Sequence, residues 1–275
     1  MMNMNEFQDV VLTGLGAITA LGDFTLHGEK PSAAKISASS ESGTIENFAL
    51  ENYLASQKTY LDRCSALALA GCALALKDAQ IEAAADAARF GIILGTHFGC
   101  IETMKGFWDK AIEKGVRLAN PLLFSHSYFN SPISLCAIEF GLKGYHATFC
   151  ANENSGAEAV RAAFDAIRLG HADAMVCGGV DAVTPTRALC APGERAGEAS
   201  VFFVLENKNM PWIAVPKPLP PSANPGSIAS NSPKKCRTFR RLWRCRQHPG
   251  ACPLHTRLHI TLNFSWPFFN IAFTK

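Results

Sequence analysis

Residues 146–156, His-Ala-Thr-Phe-Cys-Ala-Asn-Glu-Asn-Ser-Gly, set a thiol and a carboxylate three positions apart, Cys150 and Glu153, next to Asn154, Ser155 and Gly156. Both side chains are of types that attack acyl carbons, and a turn of small polar residues can offer the N–H donors that an acyl oxyanion needs. What they can do depends on how the backbone holds them. A short apolar run enters the stretch, a polar turn from Asn152 to Ser155 breaks it, and an alanine-rich helical pattern from Ala157 to Leu169 leaves it. The spacing predicts a strand, a tight turn and a helix N-terminus. Unpaired N–H groups and the positive end of the aligned peptide dipoles lie at such a terminus. A nucleophile there gains acidity, and an oxyanion gains donors.

The elements that must carry this turn can be read on either side of it. Residues 172–182, Ala-Asp-Ala-Met-Val-Cys-Gly-Gly-Val-Asp-Ala, predict a buried strand ending at Gly178-Gly179. Residues 9–22 open with Val10 and Val11 and predict a buried strand that ends in closely spaced glycines. Gly14-x-Gly16 is no dinucleotide fingerprint, because position 19, where the third glycine belongs, is Thr. Residues 23–58 are polar and predict loop with at most one short strand or helix. From Tyr60 to Gln80, Leu61, Cys64, Leu67, Ala68, Cys72, Ala75 and Leu76 recur at helical spacing, predicting a buried helix in which Gly71 marks a close neighbour. Residues 81–89 form a shorter alanine-rich stretch. Phe90 to Thr96 predicts a buried strand, and Ile101 to Lys114 a helix after a turn containing His97. His97 reads as a structural or surface residue, and His126 has no partner that the sequence identifies. Ser131-Pro132 predicts a helix with Ser131 as its N-cap, and Ala199 to Glu206 a strand.

The 275 residues leave room for one or two domains, and 48% hydrophobic with 18% charged residues suits a globular core. The net charge of +3 hides a segregation. Residues 211–275 hold ten Lys or Arg and no acidic residue, so 1–210 holds the other 16 basic residues against all 23 acidic ones. Glu6 and Asp9 precede the first apolar run, which argues against a signal peptide, and the apolar stretch Ser65 to Leu76 is too short to span a bilayer. The ten cysteines then read mostly as small buried hydrophobes of a reducing cytoplasm. No cofactor, metal or membrane association is expected.

Several separated motifs resemble the β-ketoacyl-ACP synthases, the condensing enzymes of the thiolase superfamily. Their elbow reads Thr-Ala-Cys-x-Ser-Gly, followed by a helix and Ala-Asp-x-Met-x-x-Gly-Gly. Ser155-Gly156, Ala172-Asp173, Met175 and Gly178-Gly179 match it, Val10-Val11-x-Thr13-Gly14-x-Gly16 matches the first strand, and Gly197, Glu198, Val204, Leu205 and Glu206 match a later one. The resemblance covers about Asp9 to Glu206 and implies the N-terminal half of a thiolase-like α/β fold, a mixed five-stranded sheet with packed helices. It implies an acyl carrier protein as partner and a homodimer or a heterodimer with an active synthase. An ungapped alignment puts Glu153 at the position of the nucleophilic Cys, so acyl loading is expected to fail. Asn154, Ser155 and Gly156 fall on the helix N-terminus and oxyanion region. Cys150 becomes the rival nucleophile only if three residues are inserted into the turn, which leaves it on the strand. Chain-length-factor partners of polyketide synthases keep this fold and usually carry glutamine at that position.

The resemblance stops near Asn209. The family's second half brings two histidines, in His-Thr-x-Gly-Thr and Asn-x-x-x-Phe-Gly-Phe-Gly-Gly motifs, and neither motif occurs here. The expected division is a synthase-like domain at 1–209 and a basic, Pro-rich tail at 210–275, disordered or irregular, that is not a folded domain. Three readings of the tail stand: out-of-frame or foreign sequence; a basic arm, since residues 234–246 interleave cations with Phe239 and Trp243; and a zinc site built from Cys245, His248, Cys252 and His255. The first is preferred, and nucleic-acid binding is not expected.

Overall fold

The computed structural model describes residues 7–28, 43–81, 87–193 and 196–209, and the backbone alone of 259–265 and 268–274. The chain forms two compact units, Met1–Lys217 and Pro218–Lys275. In chain order the first contains β1 (Val10–Thr19), β2 (Gly22–Thr25), α1 (Arg63–Asp78), β3 (Phe90–Gly95), α2 (Ile101–Lys114), α3 (Pro121–Ser125), α4 (Ser131–Phe140), β4 (His146–Phe149), α5 (Ser155–Arg168), β5 (Ala174–Asp181), α6 (Pro185–Cys190) and β6 (Ala199–Asn207). The described residues of the second form β7 (His259–Ser265) and β8 (Phe268–Thr274), an antiparallel pair. The basic run and the Cys/His set of the tail lie outside the described residues, as does 82–86 of the short alanine-rich stretch.

The strands of the first unit make one mixed sheet in the order β2-β1-β6-β5-β3-β4. β3 runs parallel to β4 and β5, while the β1–β2, β1–β6 and β5–β6 pairs are antiparallel. That is one strand more than expected. The addition is β2, the short strand that the reading of the polar region allowed, and among that region's described residues a single 3-10 turn also forms at Leu50–Asn52.

Because side chains alternate along a strand, both sheet faces can be followed residue by residue. Ile92, Leu94, Val176, Phe202 and Val204 share a core with Leu67, Ala68, Cys72 and Ala75 of α1 and Ile133 and Cys136 of α4. Their neighbours Ile93, Met175, Cys177 and Phe203 point the other way and are buried too. On that side α5 contributes buried Ala159, Ala163, Ala166 and Ile167. The sheet therefore lies between helices, and the central strands read as continuous apolar runs because neither face meets water.

Glycine sets how closely α1 approaches. A Cβ on Gly71 would lie 2.2 Å from Ser200 Oγ, and one on Gly16 would lie 2.4 Å from the Gly71 carbonyl oxygen and the Ala75 nitrogen. The Gly14-x-Gly16 pair, expected to end the first strand, instead lies inside it, with a register shift between Leu12 and Gly14. Helix packing, rather than a turn, requires these glycines.

α1 starts where Asp62 caps it, its carboxylate accepting the Cys64 N–H at 2.8 Å. The same carboxylate accepts the Thr103 N–H and hydroxyl at 3.1 and 2.8 Å, tying α1 to α2. For α4 the expected cap is corrected: Asn130 is the N-cap and Ser131 the first helical residue. The Ser131 hydroxyl is engaged backward, donating to the Ser125 carbonyl at 2.9 Å and accepting the Tyr128 N–H at 3.2 Å. Among the described residues no helix is long and apolar enough to cross a membrane.

Candidate functional site

β4 hydrogen-bonds to β3 in register, Gly95 opposite Phe149, and the Thr96 N–H extends the ladder to the Phe149 carbonyl at 3.0 Å. Past Phe149 the chain turns sharply. Asn152 takes a left-handed conformation, φ 69°, which Asn tolerates better than most residues. Asn152–Asn154 form a single 3-10 turn, and α5 follows from Ser155 with Asn154 as its N-cap. Strand, turn and helix are thus as the spacing predicts.

Ser155 closes the turn on itself. Its buried hydroxyl donates to the Asn152 carbonyl at 2.6 Å and accepts the Ala151 N–H at 2.9 Å. The Asn152 side chain accepts the Asn154 N–H at 3.1 Å. Glu153 sits at the crest of this clasp, exposed, immediately before the helix N-terminus.

Backbone contact seats the elbow on the ends of two parallel strands. A Cβ on Gly95, at the end of β3, would lie 2.2 Å from the carbonyl carbon and oxygen of Ser155. One on Gly156 would lie 3.4 Å from the Gly179 Cα, in β5. The Ser-Gly and Gly-Gly pairs of the sequence are therefore the two sides of one close approach.

Cys150 lies just past the end of β4, not on the strand as expected, and precedes the turn. Partial burial, and then the Asp181 carboxylate, push its thiol above the ordinary value. A thiol moved in that direction carries less thiolate at neutral pH, opposite to what a nucleophile needs.

Asp181 is the residue of this region to which the sequence assigned no role. Its carboxylate accepts the Thr96 hydroxyl at 2.9 Å and the N–H groups of His97 and Phe98 at 3.0 and 2.8 Å. It fixes the loop between β3 and α2. β5 runs on past the Gly178-Gly179 pair at which it was expected to end, and Asp181 is its last residue. His97 is held there by its backbone, its ring stacked on Phe98 at 4.2 Å between centroids. Beneath the loop, buried Arg187 lies 4.8 Å from the Phe98 ring centroid and donates to the Ala182 and Gly197 carbonyls.

His126 caps the C-terminal end of α3, and its Nδ1 is buried without a hydrogen-bond partner among the described residues. His146 begins β4, its imidazole pKa lowered by burial. No group of three or more His, Cys, Asp or Glu side chains among the described residues is placed to hold a metal ion.

This α/β frame with an elbow at the strand ends agrees with what known proteins show. Residues 2–196 match the family model for the β-ketoacyl synthase N-terminal domain, and the chain belongs to that family. The 3-oxoacyl-[acyl-carrier-protein] synthase 2 of Staphylococcus aureus (strain COL) is 26% identical over 199 residues, covering 65% of this chain and 47% of that protein. The enzyme of the same name from Synechocystis sp. is 30% identical over 203 residues, covering 66% of this chain and 47% of that protein. The chain thus spans about half the length of these curated relatives. Among solved structures, the ishigamide ketosynthase/chain length factor superposes with a TM-score of 0.58 at 21% identity, over 72% of this chain and 62% of that one. A type II polyketide acyl-carrier protein in complex with its ketosynthase bound to the hexaketide gives a TM-score of 0.61 at 21% identity, over 74% and 63%. These likenesses establish the thiolase-like ketosynthase fold.

Proposed function

We propose that this chain takes part in fatty-acid or polyketide assembly as a synthase-fold subunit that does not itself take up the acyl group, and that it pairs with an active synthase served by an acyl carrier protein. The observation that carries the reading is Glu153, at the crest of a formed elbow, where the family's loading chemistry uses a thiol. In a condensing enzyme the thiolate accepts an acyl group from a carrier thioester. A malonyl-carrier carbanion, freed by loss of carbon dioxide, then attacks the acyl-enzyme while two histidines stabilise the oxyanion. Acylating a carboxylate would instead give a mixed anhydride, which water hydrolyses far faster than a thioester. The elbow persists as architecture, and the condensation step falls to the partner.

Solved structures of ketosynthases with a chain length factor or an acyl-carrier protein support such a pairing. The synthase-like part is residues 1–209, with 210–275 outside it, and the pair works in the cytoplasm. The test is to incubate the full chain with an acyl-carrier thioester, alone and with a purified ketosynthase, and to read acyl adducts by intact mass. The expected result is no adduct on this chain, acyl label on the synthase, and co-elution of the two. A stable adduct on this chain that disappears in Cys150→Ala overturns the reading in favour of a loading enzyme.

A further inference from the structure

We draw no further inference here: the strongest candidate, the exposed apolar surface that Trp108, Ile112, Val116, Leu118, Leu122 and Phe124 form on α2, α3 and the turn between them, carries nothing because no feature of the structure shows what covers it.

Discussion

Glu153 and Cys150 stand three positions apart in sequence yet occupy chemically different places, and substitutions can separate those places. Glu153 immediately precedes the N-terminus of α5, so a thiol substituted there would sit beside unpaired N–H groups. Glu153→Cys should be alkylated by iodoacetamide near pH 7 about tenfold faster than Cys190, since a helix N-terminus lowers thiol pKa by one unit or more. Equal rates for the two thiols would show that the turn withholds its donors. In the unmodified protein, Cys64, Cys72, Cys100, Cys136 and Cys177 are buried and only Cys150 and Cys190 are exposed among the described cysteines. Burial also pushes the Cys177 thiol well above its ordinary value. Native-state labelling read by peptide mass should therefore modify Cys150 and Cys190 and leave those five unmodified. Prompt labelling of Cys72 would contradict the packing of α1 on the sheet, and prompt labelling of Cys177 that of α5.

Between β4 and α5 the elbow is held by one hydroxyl and by two glycine contacts, and each can be tested as part of an element. Ser155→Ala removes the acceptor of the Ala151 N–H and the donor to the Asn152 carbonyl. The expected loss is about 1–2 kcal/mol in urea unfolding, with faster amide exchange concentrated at residues 151–156. An unchanged exchange pattern would mean that the turn is held otherwise. Gly95→Ala should cost more, about 3 kcal/mol or above, because its Cβ meets backbone rather than a side chain that can move aside. The type of the longer elements was legible in sequence: periodicity marked α1 and α5, and apolar runs marked β3, β5 and β6, whereas the short helices α3 and α6 went unread. The reason for the glycines was less so. Gly14 and Gly16 look like a turn to anyone reading along the chain, and only the packing of Ala75 across them shows otherwise. The Ser131 cap failed for a related reason, since a hydroxyl near a helix start can bond forward into the helix or back to Ser125, and local spacing does not choose.

Across the first unit, the carboxylate of Glu198 joins segments distant in sequence. It accepts Arg63 guanidinium hydrogens at 2.8 and 2.5 Å and the N–H groups of Ile45 and Val183 at 2.6 and 3.1 Å. Burial works to raise its pKa, but the Arg63 pair and the two N–H groups outweigh it and hold the group below the usual carboxylate range. A carboxyl lowered in the folded state contributes stability above its unfolded value, about 4.3, and loses that contribution as pH falls through its lower folded value. Glu139, bonded to Lys58 and Ser56, is lowered likewise and adds to the same acid loss. Glu198→Gln should lower stability at pH 7 by about 3 kcal/mol, the low end for breaking a buried pair because Arg63 keeps contact with water. It should also flatten the fall in urea midpoint between about pH 5 and 3. A variant with the wild-type acid slope would remove Glu198 from that role. Sequence could match Glu198 to a motif but not find Arg63, 135 positions away, because ion pairs across a fold leave no local pattern. Asp181 went unread on the same ground. One feature of the whole sheet reaches back to the elbow. β4 ends the strand order, has β3 as its one neighbour among the described strands, and runs with a single short connection into the turn that carries Glu153. Tension or displacement applied along that outer strand would be delivered to the crest of the turn through the chain itself, as a pull on a tether moves whatever is tied to its end.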